Sequence, residues 1–459
     1  MKVLLLRPPN PKRNMYASVP PLGLGYLATT FRQRGHTPDL WDLGKERFET
    51  ERFVSRLRET KPEMVGVQAY SRDISVTRDL VRTIRTALPD SVIVIGGPHP
   101  STAPEHTLQY IDAADYAFVG EAEIGFADLA DGKTELSEIP GLVRRDSDGT
   151  VLVNPPAFPD DLDGLGFPAW DLMPPNLYHG ETMAGFSRLS PVGIISTSRG
   201  CPYQCSFCAT KIINGRKVRY HSTDHILEEI AILTKKYGIR EIKIIDDNFT
   251  TSRKRVLEFC ERARRDFPGI AFSFPGGVRL DTLDDQVLEA LKSTGVYSLS
   301  VAIESADTEV LRHMRKNIDL QQAREKIALI RKHGLEAVAF FIVGYPTDTE
   351  ASIRRTIDFA LSLDIARAHF NCFTPFPGTP AAETVKELNP EFSPRWEDLH
   401  IESPNYTPKG ISLKRLRMLR KWGLIRFYMR PKIIFGIFRS IRSTTQLRFL
   451  FGKTLEYFS

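Results

Sequence analysis

The chain has 459 residues, 42% hydrophobic and 26% charged, an ordinary globular composition with room for two or three domains. Five cysteines are too few for a disulfide framework, and three of them fall within eight positions, which points to metal or redox chemistry rather than crosslinking. The net charge of +6 is unevenly spread: residues 408–459 hold thirteen basic residues and one acid, so the tail carries +12 and the body −6.

The first apolar run, Val3 to Leu6, is too short for the core of a signal peptide and reads as a buried strand. A proline-rich loop follows it, and the spacing of Leu24, Leu27, Ala28 and Phe31 then predicts a helix stopping at Gly35. Strands are predicted at Met64 to Gln68, Ser91 to Ile95 and Tyr116 to Val119, and helices at Ser75 to Ala87 and Glu105 to Ile111. This alternation implies a doubly wound parallel sheet of flavodoxin-like type over 1–153, with ligand sites at the carboxyl ends of its strands. Residues 154–190, dense in Pro, Gly and Asp, read as a linker.

From Val192 the units lengthen. Strands are predicted at Gly193 to Ser198, Glu241 to Ile245, Ala271 to Phe274, Tyr297 to Ile303, Ala337 to Val343 and Arg367 to Cys372. Helices are predicted at Ile226 to Lys236, Arg253 to Asp266, Asp319 to His333 and Glu350 to Leu363. Six such units over 191–385 make an α/β partial (β/α)6 barrel, with chemistry on the loops after the strands. Residues 386–459 form a basic, mostly helical C-terminal region. No stretch approaches 18 apolar residues, and Ile433 to Phe438 is only six, so the chain is expected to be cytoplasmic.

Chemistry concentrates at Cys201, Cys205 and Cys208, a CxxxCxxC pattern just after the first barrel strand. Three thiolates can hold three irons of a [4Fe–4S] cubane and leave the fourth iron open to a chelating ligand. The competing reading is a structural zinc site, which usually needs four ligands from two paired knuckles, and no second knuckle is present. Cys260 and Cys372 read as buried small residues.

With Phe207 before the third cysteine and the motif at a strand-to-loop junction, the segment from Val192 to Pro380 resembles the radical S-adenosylmethionine (SAM) superfamily. That resemblance implies reductive cleavage of SAM to a 5′-deoxyadenosyl radical, with electrons from an external donor such as flavodoxin or ferredoxin. It places SAM contacts at Phe207, at Asp246 and Asp247 after the second strand, at Arg279 after the third, at Glu304 and Ser305 after the fourth, and at Tyr345 in Gly344-Tyr345-Pro346. The catalytic group acting on substrate is left unassigned.

The first 150 residues resemble the cobalamin-binding domains of one branch of that superfamily. The matching pieces are Val19 to Leu27, Arg34-Gly35-His36, Val65-Gly66-Val67 leading to Ser71, Gly96-Gly97-Pro98-His99-Pro100 and Val119-Gly120-Glu121-Ala122-Glu123. The resemblance implies cobalamin contacts at Pro11, Ser71, Arg72, Gly96, Gly97, Pro98, Gly120 and Glu121. Glycines at a strand end let backbone approach a bulky flat ligand. The loop from Pro8 to Arg13 departs from the cobalamin mutases in lacking the histidine that ligates cobalt, and His36 and His99 read as turn residues.

The function implied is cobalamin-dependent C-methylation of an unactivated carbon in a small-molecule or lipid-like substrate. Ring formation without methyl transfer, as in the anaerobic Mg-protoporphyrin cyclases, is the alternative, and a non-catalytic corrinoid or metal-binding regulator a remote one. In the tail, bases interleave with large apolar residues and Ile411 to Met429 show no clean apolar stripe, leaving open packing over the barrel or contact with the inner membrane face. No nucleic-acid motif accompanies the charge.

Overall fold

The computed structural model describes residues 1–9, 19–45, 48–178, 187–441 and 446–447. The first sheet comprises β1 (Lys2–Arg7), β2 (Thr37–Asp42), β3 (Met64–Gln68), β4 (Val92–Gly96), β5 (Tyr116–Phe118), β6 (Leu142–Arg145) and β7 (Val151–Val153), in the order β2-β1-β3-β4-β5-β6-β7. The first five strands run parallel; β6 and β7 close the edge as an antiparallel hairpin. Val3 and Leu5 pack into one hydrophobic cluster and Leu4 and Leu6 into another, as expected for strands covered on both faces.

The second sheet is an open parallel array in the order β15-β14-β13-β12-β11-β8. Its strands are β8 (Val192–Ile195), β11 (Glu241–Ile244), β12 (Ala271–Val278), β13 (Val296–Glu304), β14 (Glu336–Val343) and β15 (Arg367–Cys372), and a small ribbon pairs β9 (Ser198–Arg199) with β10 (Arg219–Tyr220). Strand parity separates the faces. Leu299, Val301, Ile303, Phe341 and Phe370 join the core under the helices, leaving Ser300, Ala302, Glu304, Phe340 and His369 for the concave side.

Several expectations shift at their edges. The first barrel strand stops at Ile195 instead of Ser198, because Asp246 captures the Thr197 amide (2.6 Å) and hydroxyl (2.5 Å) and the Ser198 hydroxyl (2.5 Å). The third extends to Val278 through an irregularity at Pro275-Gly276-Gly277. β2, the β6–β7 hairpin and the helices Thr50–Thr60, Glu123–Asp131 and Asp285–Ser293 were not predicted.

The tail does bury a face. Helix Leu413–Tyr428 sets Leu416, Leu419, Gly423, Leu424 and Phe427 against the barrel, while Leu413, Met418 and Ile425 lie exposed on its other sides and blur the stripe. Its bases meet the body's acids: Arg415 pairs with Glu350, Arg426 with Asp358 at 2.6 Å, and Lys432 of the next helix with Asp364 at 2.8 Å. Among the described residues no helix is long and apolar enough to cross a membrane.

The linker also enters the core, through Trp170, Met173 and Tyr178. Trp170 Nε1 donates at 3.2 Å to Glu229, a fully buried carboxyl whose desolvation raises its pKa to about 8. The folded state therefore holds a proton that the unfolded chain releases above pH 4.5, and stability falls as pH rises towards 8. Glu229→Gln is expected to stabilise the protein at pH 8 and much less at pH 5, as read by thermal melts at both values.

Candidate active site

The carboxyl ends of β1, β3, β4 and β5 face the cysteine-bearing side of the barrel across a cavity of about 290 Å³. Its floor is apolar, made by Leu5, Leu24, Gly66, Val94, Phe118 and Phe126. Its rim carries Gly96, Gly97, Gly120 and Glu121 from the first sheet, and Ser198, Arg199, Asn214 and Asp247 from the barrel side. A Cβ built on Gly96 meets nothing within 4 Å, so that rim is open where a side chain would otherwise project. Gly97 and Gly120 have φ of +105° and +73°, a left-handed backbone that favours glycine. The Tyr26 hydroxyl, on a side chain lining the cavity, is buried without a hydrogen-bond partner among the described residues. An orphaned polar atom and an open glycine rim are what a large ligand with amide edges would complete. The cradle fits a corrinoid.

Four charges lock the two halves together beside the cavity. Arg199 pairs with Glu121 (3.1 Å) and Glu123 (2.8 Å), and Arg219 with Glu121 (2.5 Å), all with nearly inaccessible side chains. Arg199 also lies 4.8 Å over the Tyr26 ring. Glu121 thus borders the cavity while its carboxylate holds the two arginines.

Cys201, Cys205 and Cys208 are partly buried free thiols. Burial pushes the Cys201 thiol up to about 11 and raises Cys205 as well, so neither is poised as an isolated thiolate nucleophile. The three sulfurs do not all lie within 4.8 Å of one another. Three thiols on one loop, with no fourth ligand beside them in sequence, suit a polynuclear cluster that leaves one iron open.

The residues expected to contact SAM take three kinds of position. Asp247 lines the cavity, accepts from the Gly200 amide (3.1 Å) and Asn214 Nδ2 (2.9 Å), and is raised in pKa by burial. Thr210 links it to Cys208, with Sγ to Oγ1 at 3.3 Å and Oγ1 to Asp247 at 3.4 Å. Arg279 stacks 3.9 Å over Tyr203 of the cysteine loop and pairs with Asp281 at 2.8 Å. Glu304 ends β13 at φ +71°, left-handed for a non-glycine residue, with its carboxylate on Lys316 at 3.1 Å. Such strain, held by a buried ion pair at a strand end, is typical of a ligand-binding position.

The others face the scaffold. Asp246 is consumed by Thr197 and Ser198, and the Ser305 hydroxyl meets Thr356 at 3.2 Å under a helix. Tyr345 braces the cysteine loop through Ser206 at 2.9 Å, and Phe207 packs beside it in a small aromatic cluster.

In the first domain, Ser71, Arg72 and Pro98 do not line the cavity. Ser71 meets His99 Nδ1 at 2.9 Å, and Arg72 pairs with Glu402 at 3.4 Å. Pro11 lies outside the described residues. His36 pairs with Asp131 at 2.9 Å near the surface, as suits a turn residue. His99 is more than that: it is fully buried between Ser71 and His106 (3.1 Å), and burial lowers its pKa to about 3, keeping the imidazole neutral.

Tyr26, Arg199, Asn214 and Lys316 escaped the sequence reading. Arg199 was within reach, since it stands two residues before Cys201; Lys316 had no local signal, because its partner is twelve residues away.

Residues 195–360 match the family described as the radical SAM superfamily, and residues 13–130 match the B12-binding domain. An uncharacterised methyltransferase of Pyrococcus horikoshii is 30% identical over 95% of this chain and 94% of its own length. The cytidylyl-2-hydroxyethylphosphonate methyltransferase of Streptomyces wedmorensis is 27% identical, over 82% of this chain and 80% of its own. Among solved structures, the cobalamin-dependent SAM radical enzyme OxsB, with aqua-cobalamin and SAM bound, superposes with a TM-score of 0.77 at 15% identity, covering all of this chain and 72% of that one.

Proposed function

Because the chain belongs to the radical SAM superfamily and carries a B12-binding domain, we propose that it is a cobalamin-dependent methyltransferase acting on an unactivated carbon of a small molecule. The observation that carries this reading is the single cavity that joins the glycine rim of the first sheet to Asp247 and Arg199 of the cysteine side. When bound, the [4Fe–4S] cluster and SAM supply a carbon-centred radical and cobalamin supplies methyl transfer, which consumes one SAM as 5′-deoxyadenosine and a second as S-adenosylhomocysteine.

The chain's own residues arrange that meeting. Cys201, Cys205 and Cys208 hold the cluster, and Asp247, through Thr210 and Gly200, fixes the loop that presents them. Glu304 with Lys316, and Arg279 above Tyr203, offer charged groups to the amino acid part of SAM. Gly96, Gly97 and Gly120 give the corrin room, and the apolar floor excludes water from the reacting carbon. Burial raises the pKa of Asp247, and its donors Asn214, Gly200 and Thr210 counter that shift.

An external one-electron donor of flavodoxin or ferredoxin type completes the reading. A peripheral membrane contact would rest on Phe435 and Phe438 of helix Pro431–Ser440, 62% and 67% exposed, beside the tail's bases, of which Arg415, Arg426 and Lys432 pair with acids of the body.

Occupancy of the cavity is tested with Gly96→Val. The wild-type protein, purified from cells supplied with hydroxocobalamin, is expected to retain close to one corrinoid per chain, and the variant at least tenfold less with unchanged iron content. Equal corrinoid in both, or none in the wild type, contradicts the assignment.

A further inference from the structure

A second site lies beside Tyr26. Asp163 sits in a short turn of the linker, His221 follows β10, and His225 opens helix Thr223–Tyr237. His221 Nδ1 is 2.9 Å and His225 Nδ1 3.7 Å from the same oxygen, Asp163 Oδ1. One donor atom from each residue lies within 4.8 Å of the other two. The two imidazoles stack 4.5 Å apart and nearly parallel.

A hydrogen bond to Asp163 accounts for His221, whereas His225 Nδ1 at 3.7 Å is beyond hydrogen-bond range of that oxygen, its imidazole lying 4.2 Å from the Phe167 ring and meeting the Gly166 backbone. Ligands bound tetrahedrally at about 2.0–2.1 Å stand about 3.3 Å apart, which the two observed separations bracket. Both imidazoles are withdrawn from solvent, His221 being only 2% exposed, and their Nε2 atoms, on the side away from Asp163, have no partner among the described residues. Asp161 and Glu228 add negative charge around His225.

We propose that Asp163, His221 and His225 bind one divalent cation of zinc type, with water in the remaining position. Two imidazoles and one carboxylate are a donor set that zinc accepts, and the first-row neighbours share it. The ion ties the linker turn to the barrel. Helix Leu22–Gln33 grips the same stretch of linker, through Thr29 to the Phe167 carbonyl at 2.5 Å and Gln33 to the Gly164 carbonyl at 3.3 Å. His221 also lies alongside the Tyr26 ring, with centroids 6.3 Å apart, so the clasp braces a wall of the cavity from outside. It is independent of the three cysteines and of the reaction assigned above.

The test uses the full chain loaded with cluster and cobalamin, equilibrated with one equivalent of ZnCl2 and desalted. Metal analysis is expected to find about one zinc per chain in the wild type and at least fivefold less in His225→Asn, with iron unchanged. X-ray absorption at the zinc edge of the wild type is expected to show nitrogen and oxygen near 2.0–2.1 Å and no sulfur near 2.3 Å. Failure to retain zinc, equal retention by the variant, or a sulfur shell marking zinc on the cysteines overturns the proposal. Should His225→Asn not fold, Asp163→Asn takes its place, and the wild-type spectrum alone still decides between the two ligand sets.

Discussion

Cys205→Ala, reconstituted anaerobically with iron and sulfide, is expected to lack the absorbance near 400 nm of a [4Fe–4S] cluster and to release no 5′-deoxyadenosine from SAM above the protein-free control. The physical ground is ligand count: two remaining thiols cannot hold three irons of the cubane. The fold should survive, because the cysteine loop is braced without that sulfur. The Ser206 amide donates to the Met314 carbonyl at 3.0 Å, the Ala381 amide to the Ser206 carbonyl at 3.0 Å, and the Ser206 and Tyr345 hydroxyls meet at 2.9 Å. Corrinoid content is therefore expected to stay at the wild-type level. Residual cleavage of SAM by this variant would show that Cys205 is not a cluster ligand.

The second large effect falls on stability. Glu121 is the acid shared by Arg199 and Arg219, and all three side chains are nearly inaccessible. Glu121→Ala strands the Arg219 guanidinium without its carboxylate and leaves Arg199 with Glu123 alone. Removing one partner of a buried ion pair costs about 3–5 kcal/mol, because the remaining charge stays desolvated. Since Glu121 belongs to the first domain and both arginines to the barrel side, the loss is expected at the junction of the two. The first transition in urea unfolding should move to lower denaturant, and corrinoid should be lost with it. An unchanged first transition would mean that the two halves are held by apolar contacts and that this network is dispensable.

How much of this could be read from the residues alone divides by the range of the interaction. The inner parallel strands of both sheets were legible because a strand covered on both faces is a continuous apolar run, as at Val3 to Leu6 and Ala337 to Val343. β2 was hidden: Thr37–Asp42 begins TPDLWD, with only Leu40 and Trp41 buried, since it is an edge strand. The cysteine motif was legible because its three thiols share one loop. The positions proposed to contact SAM could be placed from the sequence only as strand ends. Which side chain turns inward depends on partners far along the chain, as when Thr197 and Ser198 capture Asp246 and Thr356 meets Ser305. The glycines at 96, 97 and 120 carried their own signal, whereas Tyr26 lay within the Val19 to Leu27 piece with nothing local to mark its hydroxyl as the atom beside the cavity. The tail's charge was legible and its purpose was not, because the acids it meets, Glu350, Asp358 and Asp364, are spread over a different helix and its end.

The most direct test of the assigned chemistry is to quantify both nucleoside products of SAM in one anaerobic incubation of the cluster- and cobalamin-loaded protein with a low-potential reductant. S-adenosylhomocysteine and 5′-deoxyadenosine are expected together, with the first lost selectively in Gly96→Val and both lost in Cys205→Ala. Release of 5′-deoxyadenosine alone by the cobalamin-loaded wild type would contradict methyl transfer and favour a cyclase-like reaction, and release of neither would contradict the enzyme.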